Sequence, residues 1–396
     1  MTFSSSLAQR GWKECLFSEF VEIAPQVKLN NGSVYSFIEM ADLSENSKYC
    51  VSKETRTFNG SGTRFEEKDT LFARITPCLE NGKICQVRGL LNNKAFGSTE
   101  FHVFRGKTGI SDTDFVFYLS RWNEVRDFAE ANLHGTSGRQ RVPKESFDNL
   151  LLNLPSLPEQ RAIAGVLSSL DDKIDLLHRQ NKTLEGIAES LWRKMFVEDA
   201  DPNWKKGTLS EFGRIVCGKT PSKKNSEYFD GRVPFIKIPD MHGNVFIFDT
   251  EDLLTEEGRT SQDNKTIPAR SVCVSCIATV GLVGMNAIDS QTNQQINTII
   301  PNEEYQRYYL FLLMRSMTDD LYARASGGTA TDNLNTGDFS RIEVSRAPES
   351  IIKNFDGIVK NYFEKIYANQ LQIRTLSRLR DTLLPKLMSR ELKVQA

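Results

Sequence analysis

Apolar residues along this chain follow two rhythms, and the two alternate in the same order twice. Short β-rich runs come first, at residues 34–39, 70–75 and 101–104 and again at 233–238, 271–278 and 296–300. A helical run follows each set, near 114–131 and then 303–325. Next comes a glycine-bearing polar loop, His-Gly-Thr-Ser-Gly-Arg-Gln-Arg at 134–141 and Ser-Gly-Gly-Thr-Ala-Thr-Asp at 326–332. A last apolar strand, 148–154 or 341–346, runs into a proline. Pro158 and Pro348 each suit the first turn of a helix, where the missing N–H costs nothing.

Residues 158–197 contain no further proline after Pro158 and predict one helix. Its apolar positions step by four and three: Ile163, Leu167, Leu170, Ile174, Leu177, Leu184, Ala188, Leu191 and Met195. That is the period of a coiled-coil seam rather than the broader stripe of a core helix. A second seam follows at the chain's end: Phe355, Val359, Tyr362, Ile366, Ile373, Leu376, Leu383 and Leu387, interrupted at Asn369 and Arg380. The two seams, and the halves that precede them, are related by an offset of 192 residues. Trp12-Lys13 recurs as Trp204-Lys205, Ser18-Glu19-Phe20 as Ser210-Glu211-Phe212, and Phe147 as Phe339; Lys173-Ile174, Thr183-Leu184 and Lys194 return as Lys365-Ile366, Thr375-Leu376 and Lys386. Matches held at one offset across most of each half mark an internal duplication, with a period far beyond that of solenoid repeats.

Two matching seams in one chain most simply pack on each other. Their polar interruptions select the direction. In an antiparallel pair whose apolar spans overlap in full, Ile163 faces Leu387 and Asn181 faces Asn369, so two amides satisfy each other. A parallel pair in the repeat register sets Asn181 against Ile373 and strands a buried amide. The expectation is therefore antiparallel, over a seam of about 32 residues or roughly 50 Å. The expected organisation is a first domain at 1–155, a spacer helix at 156–200, a second domain at 201–347 and a second spacer helix at 348–396.

Composition narrows the function. Fifty basic residues against 51 acidic ones give a net charge of −1, so any grip on nucleic acid must come from local patches. No apolar stretch approaches the length of a membrane span, and the opening residues lack a signal-peptide core, which predicts a cytoplasmic protein. Seven scattered cysteines fit free thiols in a reducing compartment.

The stretch Leu154-Pro-Ser-Leu-Pro-Glu-Gln-Arg-Ala-Ile163, continuing through Leu167-Ser-Ser-Leu-Asp-Asp-Lys-Ile174, Arg179-Gln-Asn-Lys-Thr-Leu-Glu185 and Ala188-Glu-Ser-Leu-Trp-Arg-Lys-Met-Phe196, resembles the specificity subunit of type I restriction–modification systems. The C-terminal run 376–392, with Leu383-Leu-Pro-Lys-Leu-Met388, and the segment Gly218-Lys-Thr-Pro-Ser222 with Tyr228-Phe-Asp-Gly231 and Val233-Pro-Phe-Ile-Lys237 are similar to the same family. The resemblance implies a mixed α/β fold of two target recognition domains in pseudo-twofold arrangement, separated by two long antiparallel coiled-coil helices. It implies that each domain reads one half of a split, asymmetric double-stranded DNA site and that the helices set the gap. It implies partners: two modification subunits that methylate adenine, and restriction subunits that translocate and cut. S-adenosylmethionine, ATP and Mg are then expected on those partners and no cofactor on this chain. Without the resemblance, a coiled-coil adaptor with two protein-binding heads fits the duplication equally well.

Base reading needs side chains with fixed donor and acceptor patterns, and phosphate contact needs local positive charge. Residues 203–237 carry eight basic residues against three acidic ones, and residues 74–107 six against two. The candidates for DNA contact are Arg74, Lys83, Arg139, Gln140 and Arg141 in the first half. In the second they are Lys219, Lys223, Lys224, Lys237, Thr329, Thr331 and Asn333. The two glycine loops are preferred for base proximity.

Two motifs point elsewhere. Gly213-Arg-Ile-Val-Cys-Gly-Lys-Thr220 formally matches a phosphate-cradling P-loop, which needs a preceding strand and a helix beginning at Gly-Lys-Thr. Pro221 biases Thr220 away from helical geometry, so no nucleotide site is expected. Cys273-Val-Ser-Cys276 lies in an apolar run without a second ligand pair, which predicts buried thiols rather than zinc. The four histidines are dispersed and no catalytic constellation is present, so the chain reads as non-catalytic.

Overall fold

Helices Leu157–Arg193 and Glu349–Met388 are the longest elements of the protein, whose computed structural model describes residues 12–136, 138–326 and 333–394. Pro158 lies in the first turn of the central helix and Pro348 immediately precedes the C-terminal one. Pro385 sits in the last turn of the C-terminal helix, and the chain leaves through Arg390 with φ 63°. The central helix runs on into a π-helical turn, Lys194–Glu198.

The chain divides into two compact units, one of Met1–Leu176 with Ile373–Ala396 and one of Leu177–Gln372. Each therefore joins a globular half to part of both long helices. In the first unit, Ile163, Ala164 and Leu167 near the start of the central helix share a core with Leu387 and Met388 at the end of the C-terminal helix. In the second, Ala188, Trp192 and Phe196 share a core with Phe355, Val359, Phe363 and Ile366. Start meets end in both cases, so the helices pair antiparallel as the polar interruptions predict. Ile163, Leu167, Ile174, Leu177, Asn181, Phe355, Val359, Ile366, Asn369 and Leu387 are buried. Leu170, Leu184, Leu191, Tyr362, Ile373, Leu376 and Leu383 are half-buried, so none of the predicted seam positions faces solvent fully. Burying side chains of this size contributes roughly 1.5–3 kcal/mol each, which holds the seam closed.

The two globular halves repeat one topology. In the first unit a five-stranded sheet is ordered Val21–Ile23, Phe101–Gly106, Thr70–Ala73, Ile84–Arg88, Tyr49–Val51. In the second the order is Gly213–Cys217, Ile296–Pro301, Val272–Ser275, Val283–Asn286, Phe246–Ile247. In both sheets the last pair is parallel and the others antiparallel. A second sheet accompanies each, built around Val34–Ile38 in the first unit and Phe229–Ile236 in the second. A two-stranded ribbon, Lys13–Leu16 with Leu151–Leu154 or Lys206–Thr208 with Glu343–Ser345, closes each half. Phenylalanines pack the first core: Phe104 and Phe147 lie 5.3 Å apart and Phe17 5.3 Å from each.

The predicted strands are present with shifted ends: Thr70–Ala73 and Val272–Ser275 are shorter than expected, while Phe101–Gly106 and Ile296–Pro301 run further and Phe229–Ile236 starts earlier. The predicted helical runs differ in detail. Residues 114–131 form two helices, Thr113–Arg121 and Asn123–Ala131, because Trp122 takes extended geometry (ψ 140°) between them. The second run likewise splits into Arg307–Ser316 and Thr318–Ala325 after a 3-10 turn. The strand expected at 148–154 starts only at Leu151, since Lys144–Asn149 is a 3-10 helix.

Candidate functional site

Each glycine loop is anchored by the same backbone pairing at the same end of its sheet. In the first half Arg141 bridges both His134 and Ile75, and the Val142 N–H donates to the Arg74 carbonyl at 2.9 Å. The Gln140 N–H donates to Thr76 Oγ1 at 3.0 Å, and its carbonyl accepts from the Thr76 N–H at 3.0 Å. In the second half Asn333 bridges Ile277, and the Leu334 N–H donates to the Cys276 carbonyl at 2.9 Å. Asn333 is the repeat equivalent of Arg141, and Leu334 that of Val142. The duplication thus preserves where the loop emerges while its sequence diverges.

One buried polar side chain holds each loop's stem. His102, second residue of its strand, donates Nε2–H to the Val142 carbonyl at 2.8 Å. Burial pushes its pKa down to about 4, so the ring is neutral. Asn297, second residue of the equivalent strand, donates Nδ2–H to the Leu334 carbonyl at 3.5 Å and accepts from Thr336 at 2.9 Å. Both side chains are buried. The first-half loop has a further clamp: Arg141 grips the Glu100 carboxylate with Nε at 2.9 Å and Nη2 at 2.6 Å. That guanidinium holds the Glu100 carboxyl below its usual range.

The sequence-predicted DNA contacts fall into three groups. Arg139 is exposed beside the half-buried Gln140, and Lys219, Lys223 and Lys224 are exposed on the segment that follows Gly213–Cys217. Asn333 is exposed at its bridge. These side chains stand toward solvent. Arg141 is committed to Glu100, and Lys237 to Glu251 at 2.8 Å and Asp252 at 3.1 Å. Lys83 donates to the Met40 carbonyl at 3.3 Å, and Arg74 is half-buried with an unpartnered Nε. Thr329 and Thr331 lie outside the described residues. Sequence reasoning missed Glu100, His102 and Asn297. The available signal is a polar residue early in an apolar strand, as in Phe-His-Val-Phe and Ile-Asn-Thr-Ile-Ile.

The formal P-loop has the wrong geometry. Gly213–Cys217 is itself a strand and no helix begins at Gly218-Lys219-Thr220. The Lys219 N–H donates to the Thr292 carbonyl at 2.9 Å and its carbonyl accepts from Gln262, so this backbone is spoken for by protein. Cys273 and Cys276 are buried, and burial pushes their thiols up to about 12 and about 11. Among the described residues no cluster of His, Cys, Asp or Glu is arranged to hold a metal, and no helix is long and apolar enough to cross a membrane.

Known proteins share this organisation. A family model described as the type I restriction modification DNA specificity domain matches residues 10–186 and 202–365. The chain is 34% identical over 460 residues to the type I restriction enzyme HindI specificity subunit of Haemophilus influenzae, covering 96% of this chain and 99% of that one. It is 23% identical to the MjaIX specificity subunit of Methanocaldococcus jannaschii, over 72% of this chain and 70% of the other. Among solved structures, a type I restriction–modification S subunit from M. genitalium has the same fold, with a TM-score of 0.58 at 15% identity over 98% of each chain.

Proposed function

The chain belongs to the type I restriction–modification specificity subunits, and from that membership we propose that its two halves read the two parts of a split, asymmetric DNA site. What the membership itself carries is coarser: the chain is the DNA-specificity component of a multi-subunit system and is non-catalytic, the chemistry lying in other subunits. The observation that supports two reading heads is the repeated loop anchor, Arg141 on Ile75 and Asn333 on Ile277. Equivalent strand ends present loops of unlike chemistry, as required of two domains with one architecture and different base preferences.

In this reading Arg139 and Gln140 approach base edges in one half-site and Asn333, with Thr329 and Thr331, in the other. Lys219, Lys223 and Lys224 neutralise phosphates, which position the protein without specifying sequence. Arg141 and Lys237 serve the loops from within their ion pairs. The helices, of 37 and 40 residues, fix the gap between half-sites. Two modification subunits and the restriction subunits dock on the chain and bring S-adenosylmethionine, ATP and Mg. The net charge of −1 fits an assembly in which those partners supply much of the phosphate grip.

Methylome sequencing of a host with and without this chain tests the proposal. A two-part adenine-methylated motif that disappears with the chain supports it; a continuous motif, or no change, refutes it.

A further inference from the structure

The duplication is broken at one point of charge. In the second half Arg315, near the end of Arg307–Ser316, stands above Phe311 and is held by two carboxylates of the central helix, Glu185 at 2.9 Å and Glu189 at 2.9 Å. Its counterpart in the first half is Arg121, last residue of Thr113–Arg121, which stands above Phe117 four residues earlier, as Arg315 does above Phe311. The repeat offset places Ser377 where the second half has Glu185, and Asp381 where it has Glu189. Asp381 is turned to Arg380, whose Nε and Nη2 it accepts from at 2.9 Å. Among the described residues no carboxylate lies within ion-pair distance of Arg121, and Asp171 and Asp381 act on it only from further off. Its Nη2 donates to the Glu45 carbonyl at 2.6 Å, and its Nη1 is buried without a partner.

A second arginine nearby is only loosely paired. Arg126 lies against Gly82, where an added Cβ would come within 3.2 Å of the guanidinium carbon. Its Nη2 donates to the Glu80 carbonyl at 3.2 Å, its Nε is buried without a partner, and its nearest carboxylate, Glu130, is 3.9 Å away. Both arginines line a cavity of about 360 Å³ within the first unit, closed on one side by Arg380, Leu384 and Pro385 of the C-terminal helix. The other charged groups of the wall are accounted for: Asp171 pairs with Arg380 at 2.7 Å and accepts from Tyr118, Asp381 pairs with Arg380, and Glu45 is exposed at the rim. Asn81 and Asn123 add exposed amides.

We propose that this cavity is an oxyanion site, taking the phosphate or carboxylate group of a small molecule between Arg121 and Arg126. Two guanidinium groups, Arg121 hydrogen-bonded to a carbonyl and Arg126 to a carbonyl with Glu130 at the edge of ion-pair distance, present planar donor edges suited to two-point recognition of such an anion. Burial, and then Arg380, lower the pKa of Arg121 against the opposing influence of Asp171 and Asp381; an anion alongside would add to that opposition. In the second half Glu185 and Glu189 already do so, and no such site is expected around Arg315.

The probe is inorganic phosphate on the full chain, at ionic strength matched with KCl. Phosphate raises the unfolding midpoint by a few degrees over chloride and broadens its own phosphorus NMR line. Arg121→Gln and Arg126→Gln each abolish most of both effects, whereas Arg315→Gln lowers the starting midpoint but keeps the phosphate response. Because line broadening needs no unfolding transition, it decides the matter for any variant of low stability. Absence of a phosphate-specific effect in the parent chain, or an equal response in the Arg121 and Arg126 variants, overturns the proposal.

Discussion

Asn369 donates its Nδ2–H to Asn181 Oδ1 at 2.8 Å, amide to amide across the largely apolar seam of two antiparallel helices. The pair stands where both helices break their apolar pattern, and the two amides meet in only one register, although Asn369 Oδ1 is itself buried without a partner. Sliding one helix by a single step would face an amide with Ile or Leu and leave it unpaired.

Replacing one member therefore costs more than replacing both. Asn181→Leu strands the Asn369 amide and is expected to destabilise the chain by about 1–3 kcal/mol, while the double Asn→Leu variant recovers most of that loss. Urea denaturation of the three proteins measures it. A double variant no more stable than the single would mean the pair has no mutual role.

The buried ion pair further along the same helices is a stronger constraint. Arg380 and Asp171 lie 2.7 Å apart with side chains 5% and 2% exposed, and Tyr118 donates to the same carboxylate. Asp171→Asn keeps a hydrogen-bond acceptor but removes the charge, and a loss of about 3 kcal/mol is expected. Thermal unfolding of the variant checks this; an unchanged midpoint would mean that Asp381 alone satisfies Arg380.

His102 makes the first domain sensitive to pH. Its folded pKa of about 4 lies below the unfolded value near 6.5, so between these limits the unfolded chain binds a proton that the folded chain refuses. Stability is full above about 6.5 and falls as pH drops toward 4, by roughly 3 kcal/mol in total. Glu100, held low by Arg141, loses its own contribution only further down, in the carboxylate range. His102→Asn copies the second half's Asn297 and should flatten the slope between pH 6.5 and 4 in stability measurements. A slope that persists in the variant would assign it to other groups.

Lys223 and Lys224 are exposed and near no carboxylate partner among the described residues. As phosphate contacts they weaken binding to every sequence alike when changed to Ala. In titrations of the assembled complex on DNA, each loss should lower the slope of log K against log salt by about 0.9. A change in preferred sequence at constant slope would place them at base edges instead.

What the sequence revealed follows from which interactions are periodic. The seam was legible because burial repeats along a helix, and because Asn181 and Asn369 violate it at positions that match only in one direction. Near the helix end the pattern drifts. Leu191 and Met195 are half-buried while Trp192 and Phe196 enter the core, the stripe having moved one position round the helix before the π-helical turn at Lys194–Glu198. The break at Trp122 was hidden, because an extended residue between two helices carries no pattern of its own. Arg380 was visible as an interruption, but its partner Asp171 lies beside the seam rather than in it, brought there by packing against Tyr118. The glycine loops announced themselves by composition. That Arg141 points inward to Glu100 while Arg139 faces solvent depends on tertiary pairing with Ile75, which no local signal encodes.

The most direct test of the spacing claim shortens both helices together. Residues 178–184 and 366–372 face each other around Asn181 and Asn369, so deleting both heptads preserves the seam and removes about 10 Å of helix. Methylome sequencing of cells carrying this variant should return the same two half-sites with a gap shorter by up to about three base pairs. The same two half-sites at the original gap would contradict the account.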